Sequence, residues 1–326
     1  MKVLITGTPG WLGTRLVEVL RGKNRQVRCL VIPYSDSAYI RSLGAEVIEA
    51  DLTEPGALKD VCRDIRTVFH CAGIIHPKKI GELFAINTRG TENLLREAAK
   101  SKVDKFIYVS SNSAAGCNIR PDLLMRESDE PRPYKKYGLS KLGAEKAVND
   151  YYNKGAVKTV ILRPCWYYGA GQPARQTRFF RMIKSGKPIM LGDGKNLRSM
   201  SYIDNVIQGL ILAEENERAN GQTYWIADRR PYSTIEIYQT IAKLLQADLK
   251  PRHLPAFVSG MCELADTALQ AAGLYSPEIH VAGEMTKNIA CSIEKAEREL
   301  GYNPQIELEE GMRRSIEWCR KNGIEI

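Results

Sequence analysis

The 326-residue sequence predicts an α/β protein: a doubly wound parallel sheet joined to a smaller C-terminal region. Short apolar runs alternate with helical patterns from Lys2 to Leu162, the order that builds parallel strands with helices on both faces. The first run leads directly into Gly7-Thr-Pro-Gly10-Trp-Leu-Gly13, a tight glycine turn between a strand and a helix. Composition agrees, with 44% hydrophobic and 26% charged residues, as expected of a folded chain with an ample core.

Lys2–Thr6 reads as the first strand and Trp11–Arg21 as the first helix. Gln26–Ile32 and Glu46–Ile48 follow as strands, with a helix opening near Glu54-Pro55. Thr67–Cys71 is the fourth strand, Phe106–Ser110 the fifth after helix Gly90–Lys100, and Thr159–Leu162 the sixth after helix Gly138–Tyr152. Such a sheet binds ligands at the carboxyl ends of its strands. Past Arg163-Pro164, Pro164, Gly169, Gly171, Pro173, Gly186, Pro188, Gly192 and Gly194 punctuate a loop-rich stretch. Helical patterns return at Asn205–Glu215, Thr234–Leu245, Leu254–Ala272 and Glu307–Asn322. We therefore expect a Rossmann-type dinucleotide-binding domain over residues 1–165. Residues 166–326 would be mainly substrate-binding and interleaved with it.

The net charge of +9 reads as a lysine-rich surface or as a cationic cleft for an anionic small-molecule substrate. No basic block or basic–aromatic stripe points to nucleic acid. Eight scattered cysteines without a Cys-x-x-Cys pair read as reduced thiols of a cytoplasmic protein. Four histidines, none paired at helical spacing, predict no metal site. The chain opens on a strand, leaving no room for a signal peptide. No apolar run approaches the roughly 20 residues of a membrane span; Leu254–Cys262 comes nearest and is soon interrupted by Glu263 and Asp266.

The glycine turn aims backbone N–H groups and a helix N-terminus at a pyrophosphate, which is how a dinucleotide is held. Tyr137 and Lys141 stand four apart on one helix face. An ammonium beside a phenol favours the phenolate and brings it within working range for acid/base chemistry. The same lysine can hydrogen-bond a nicotinamide ribose. At the end of the fifth strand, Ser110-Ser111 offers a hydroxyl for a substrate oxygen, or else a pair of turn caps.

Taken as an ordered set, these residues resemble the extended short-chain dehydrogenase/reductase family. Gly7-x-x-Gly10-x-x-Gly13 is similar to its cofactor loop and Asp51-Leu52 to its adenine-side pair. His70-Cys71-Ala72-Gly73 resembles the element beneath the cofactor, and Asn87-Thr88-Arg89-Gly90-Thr91 the one opening the next helix. Val109-Ser110-Ser111 and Tyr137-x-x-x-Lys141 resemble the catalytic segments, and Leu162-Arg163-Pro164 with Tyr168-Gly169 the stretch past the nicotinamide. Gly192-Asp193-Gly194 through Arg198 to Tyr202-Ile203-Asp204-Asn205-Val206 resembles the late substrate-side signature, and Ala296–Pro304 the C-terminal element. The resemblance implies Ser111, Tyr137 and Lys141 as catalytic residues. Counting back from Gly116 selects Ser111 over Ser110. It implies Gly7, Gly10, Trp11, Leu12, Gly13, Asp51, Leu52, Ala72, Gly73, Tyr137, Lys141 and Pro164 at the cofactor, with Asn112 and Arg198 toward the substrate. It also implies a homodimer through helices Gly90–Lys100 and Gly138–Tyr152, with which Tyr151 and Tyr152 are compatible.

Departures narrow the chemistry. Dehydratases of the family carry Asp-Glu after the catalytic hydroxyl residue and decarboxylases a glutamate at the second of those positions, whereas this chain has Asn112-Ser113. Without those carboxylates both reactions are disfavoured, leaving dehydrogenase, reductase or epimerase chemistry. A tyrosine usual before the turn glycine is replaced by Ala115. The second strand ends Val31-Ile32-Pro33, with neither the acid of an NAD site nor the arginine of an NADP site. Asp36 and Arg41 are offset, so NAD is expected from the missing arginine, with NADP still open. Arg198, with Arg175, Arg178 and Arg181 before it, suits the diphosphate of a nucleotide-sugar. The alternative is a hydrophobic 3β-hydroxysteroid-like alcohol, indicated by Asn205-Val206 and by the apolar stretch Leu254–Leu274. That stretch (Phe257, Val258, Met261, Leu264, Leu269) is expected to pack into the core, and otherwise to cover a greasy substrate or touch a membrane surface. A non-catalytic cofactor-binding protein is the third reading, opposed by the presence of both Tyr137 and Lys141.

Overall fold

The computed structural model describes residues 2–326. Strands β1 (Lys2–Thr8), β2 (Gln26–Val31), β3 (Glu46–Glu49), β4 (Thr67–His70), β5 (Lys105–Val109) and β6 (Lys158–Pro164) lie in one sheet. Strands β7 (Trp166–Tyr168), β8 (Ile189–Leu191), β9 (Leu197–Arg198) and β10 (Met200–Tyr202) stand outside it, whereas β11 (Gln222–Ile226) returns to pair with β6. The order is β3-β2-β1-β4-β5-β6-β11 and every pair is parallel. The direction of winding reverses between β1 and β4, so the ligand crevice opens beyond the carboxyl ends of those two strands. Two further short strands, β12 (Tyr232–Ser233) and β13 (Arg252–Leu254), pair with β9 and β8.

Helix α1 (Trp11–Gly22) lays Leu16, Val17 and Leu20 on one face of the sheet. The other face is covered by α2 (Thr91–Lys100) and α3 (Lys135–Asn153) through Leu94, Leu95, Ala144 and Val148. Strands β4 and β5 are buried at every position, so their central residues are apolar and no polar alternation appears along them. The C-terminal part adds α4 (Ala174–Lys184), α5 (Ile203–Glu215), α6 (Thr234–Leu245), α7 (Phe257–Ala271), α8 (Pro277–Glu284) and α9 (Leu308–Lys321). Helix α5 returns to the sheet, packing Val206, Ile207 and Leu210 into the same core as α1.

Three local expectations are corrected. Pro55–Leu58 forms only a 3₁₀ turn rather than a helix. A seventh strand is added to the six expected: Gln222–Ile226 carries the strand formers Thr223, Tyr224, Trp225 and Ile226, and pairs with β6 across the loop-rich stretch that separates them. The third concerns α7, whose Phe257, Met261 and Leu264 are 67%, 61% and 73% exposed, not packed inward. Its buried side is polar: Ser259 Oγ donates to the Ala282 carbonyl (2.8 Å), and Asp266 receives Gln270 Nε2 (2.9 Å) and pairs with His280 Nδ1 (2.8 Å). Those bonds to α8 set which way the helix faces.

Candidate active site

The glycine turn is closed tightly on itself. Gly10 N donates to the Gly7 carbonyl (2.9 Å), and a Cβ on Gly10 or Gly13 would stand 2.6 or 2.7 Å from that oxygen. Gly7 has φ +84, and a Cβ there would meet the Ala72 nitrogen at 2.7 Å. No side chain caps α1 at Gly10, so its first amides face the crevice uncovered. A dinucleotide pyrophosphate fits this arrangement: backbone donors, a helix dipole and no intervening side chain. Leu12 packs against the core, and Trp11 turns away, its Nε1 donating to the Ala170 carbonyl at 2.7 Å. Asp51 receives the Thr53 amide and hydroxyl (both 2.8 Å), and Leu52 is buried under Gly90. Of the two residues offset from the end of β2, Asp36 accepts from the Ala38 amide (3.0 Å) and Arg41 reaches Glu49 at 3.8 Å.

Beneath the turn runs a buried relay. Thr91 Oγ1 donates to the Asn87 carbonyl (2.6 Å), so its oxygen receives the His70 Nε2–H (2.9 Å). His70 Nδ1 is left to accept from Thr6 Oγ1 (2.7 Å), which itself receives the Ala72 amide (3.2 Å). Burial, with Lys141 nearby, pushes His70 down to about 3, keeping the ring neutral. The relay joins the ends of β1 and β4, fixing Ala72-Gly73 in the crevice floor. A Cβ on Gly73 would lie 3.3 Å from Asn87 Oδ1 and 3.7 Å from Lys141 Nζ.

Helix α3 starts at Lys135, so Tyr137 sits in its first turn and Lys141 one turn on. Lys141 Nζ donates to the Val109 carbonyl (2.8 Å) and stands 4.4 Å over the Tyr108 ring. Ser111 caps the short helix Asn112–Ala115, receiving the Ser113 amide (3.2 Å), and its hydroxyl favours the charged form of the Tyr137 phenol. Ser110 is committed elsewhere, donating to Glu145 Oε1 at 2.5 Å. Lys141 thus reaches Gly73 in the crevice floor, while Ser111 lies against Asn112 (3.4 Å) and acts on the Tyr137 phenol. Pro164, at the end of β6, is buried opposite Ile226.

The expectation that Lys141 brings the Tyr137 phenol down is not what the structure gives. Burial pushes Tyr137 up to about 12, against the opposing effects of the Ser111 hydroxyl and the Arg175 charge. Burial also pushes Lys141 down to about 7, so it carries only part of its charge at neutral pH. Both charged forms are penalised chiefly by desolvation, which outweighs the help of Ser111 and Arg175 at Tyr137 and of Glu145 at Lys141.

Arg198, expected toward the substrate, donates Nη2 to the Glu284 carbonyl (2.7 Å), and its guanidinium stands 5.9 Å over Trp166. The charges that act on Tyr137 are instead Arg175, from the start of α4, and the Glu284 carboxylate, from the end of α8. His76 Nδ1 meets the Tyr275 hydroxyl at 3.0 Å, and Tyr275 in turn feels Tyr137. Glu284, His76 and Tyr275 escaped the sequence reading because they come from loops and helix ends without a motif. Asn205, Val206 and Cys165 serve packing: Asn205 Nδ2 donates to Asp228 (3.0 Å), Val206 is in the core, and Cys165 Sγ lies 3.6 Å from Cys291 Sγ. Arg178 and Arg181 are exposed on α4. Tyr151 packs on the core, and Tyr152 lies under Gly221. Among the described residues no helix is long and apolar enough to cross a membrane.

Comparison with known proteins gives a consistent picture. The model of the NAD dependent epimerase/dehydratase family matches residues 3–227. An uncharacterised Sinorhizobium fredii protein, y4nL, is 41% identical, with 98% of this chain and 96% of that protein covered. The UDP-glucose 4-epimerase of Vibrio cholerae is 25% identical over 97% of this chain and 94% of its own. The crystal structure of a UDP-glucuronic acid 4-epimerase from Bacillus cereus in complex with NAD superposes with a TM-score of 0.78, covering 100% of both chains at 24% identity.

Proposed function

The chain belongs to the NAD dependent epimerase/dehydratase family, whose cofactor is NAD, and on that premise we propose that it oxidises or epimerises a secondary alcohol of a nucleotide-sugar. What supports this reading is the crevice at the carboxyl ends of β1 and β4, where Lys141 Nζ lies 3.7 Å from the position of a Cβ on Gly73 and Ser111 and Arg175 act on the buried Tyr137 phenol. When bound, NAD supplies a hydride acceptor or donor at its nicotinamide. Gly7, Gly10 and Gly13 would hold the pyrophosphate, Asp51 and Leu52 the adenosine side, and Ala72, Gly73, Lys141 and Pro164 the nicotinamide side. Residues 1–165 would thus carry the cofactor and residues 166–326 mainly the substrate.

Ser111 orients the substrate oxygen by a hydrogen bond, and Tyr137 takes its proton or returns one to it. With its phenol raised to about 12, Tyr137 keeps its proton at neutral pH and is set to protonate a ketone oxygen. Lys141, held by the Val109 carbonyl, would anchor a ribose hydroxyl. Asn112 and Ser113 bring no carboxylate to the reacting carbon, which argues against dehydration and decarboxylation. Arg175 and Arg198 favour an anionic substrate, and a hydrophobic alcohol fits poorly beside Arg175 and Glu284. A homodimer through α2 and α3 and a reducing, cytoplasmic setting fit the exposed Leu139 on α3 and the eight free cysteines.

The test is thermal stabilisation of the NAD-loaded protein by UDP, dTDP, GDP and CDP at matched concentrations. Selective stabilisation by one nucleotide, reduced in Arg198→Ala or Arg175→Ala, supports a nucleotide-sugar and names its base. No response to any of the four, in protein that is stabilised by NAD, rejects the nucleotide-sugar assignment.

A further inference from the structure

We propose that this protein docks peripherally on an anionic lipid surface, through the outward face of α7 and the cationic edge beside it. Helix α7 is inside out. Its outward positions Phe257, Gly260, Met261, Leu264, Ala265 and Ala268 carry no charge, and 257, 261, 264 and 268 repeat at helical spacing as one stripe. The helix is not free to turn that stripe inward, because Ser259 and Asp266 are bonded to Ala282 and His280 of α8.

The stripe continues onto the β8–β13 ribbon, where Ile189 is 49% and Leu254 39% exposed. Gly192 N donates to the Leu254 carbonyl (2.8 Å), pinning the start of α7 to the end of β8. Lys250 N and Arg252 N donate to the Gly186 and Pro188 carbonyls (2.7 and 2.9 Å), which sets both cations beside Lys187. Upstream, α4 exposes Arg178, Arg181 and Lys184, and no acidic residue occurs from Trp166 to Leu191. Lys184 Nζ is taken by the Ile326 carbonyl (2.6 Å) and Lys250 pairs with Asp248 (2.5 Å). Arg178, Arg181, Lys187 and Arg252 have no carboxylate partner among the described residues.

An apolar helix face with a cationic border is the pattern of an interfacial helix: the stripe enters the headgroup–acyl boundary and the cations meet anionic headgroups. The border decides between occupants. A second copy docked on the stripe would bring two cationic rims together, whereas anionic lipid neutralises them. The stripe is remote in role from the chemistry, since Ser111, Tyr137 and Lys141 make no use of it.

The experiment is co-sedimentation of the full-length, NAD-loaded protein with phosphatidylcholine vesicles and with vesicles about one-third phosphatidylglycerol, at about 0.1 M and about 0.5 M salt. The expected result is binding to the anionic vesicles at least about tenfold tighter than to the neutral ones, weakened by salt. Met261→Glu/Leu264→Glu and, separately, Arg181→Glu/Lys187→Glu should each weaken it about tenfold while keeping the thermal stabilisation by NAD that reports a folded protein. Three results overturn the proposal: no sedimentation of the unmodified protein, binding indifferent to lipid charge, or a fall in molecular mass of the Met261→Glu/Leu264→Glu variant by light scattering. The last would assign the face to a second copy of the chain.

Discussion

Glu145 grips Arg163 in a two-pronged ion pair, with Oε1 receiving Nε at 2.9 Å and Oε2 receiving Nη2 at 2.6 Å, and the two side chains only 3% and 5% exposed. It ties α3, one turn beyond Lys141, to the end of β6, and it engages the Ser110 hydroxyl as well. Glu145→Gln leaves a buried guanidinium without its counter-charge, which should destabilise the fold by about 3 kcal/mol. Urea unfolding measures this, and a change below about 1 kcal/mol would mean that the pair is not the clamp described.

Gly10→Ala should weaken NAD binding by at least about tenfold, a loss of about 1.4 kcal/mol. The added methyl would stand 2.6 Å from the Gly7 carbonyl oxygen and force the turn open. Titration calorimetry with NAD reads the effect directly, and unchanged affinity would place the pyrophosphate elsewhere.

Tyr137→Phe should lower turnover by about two to four orders of magnitude in either direction, since no other group takes up the proton. In the unmodified enzyme, with Tyr137 near 12, alcohol oxidation should quicken with pH through the neutral and mildly alkaline range. Ketone reduction should show no loss from Tyr137 over that range. The pH dependence of kcat/KM in the two directions, with the nucleotide-sugar chosen by thermal shift, checks both slopes.

His70 makes stability depend on pH. Its folded value of about 3 lies below the ordinary histidine value, so the unfolded chain binds the proton first and stability falls as pH drops from about 6.5 toward 3. Between pH 7 and 4.5 this amounts to about 2 to 3 kcal/mol. Asp228, pushed up to about 7 by burial, titrates in the opposite sense over an overlapping range. The test is therefore a difference: unfolding free energies of the unmodified protein and of His70→Asn across that range. Parallel pH profiles would remove His70 from the account.

The sequence by itself determined the parallel alternation of the first six strands and the glycine turn, written in local signals such as apolar runs and turn residues. The set Ser111, Tyr137 and Lys141 came from a resemblance of ordered motifs and stands as a proposal. Tertiary structure decided the rest, because burial and charge are set by neighbours far along the chain. The place of Gln222–Ile226 beside β6, far back along the chain, was set by tertiary pairing. Ser110 was withdrawn from the crevice by Glu145, 35 residues on. Tyr137 and Lys141 moved away from their charged forms because packing desolvates both, which no four-residue spacing reveals. Helix α7 has the periodicity of a core helix, yet it turns its apolar stripe outward. Its polar residues find partners on α8, and a buried carboxylate left unpaired would cost more than exposed methyl groups.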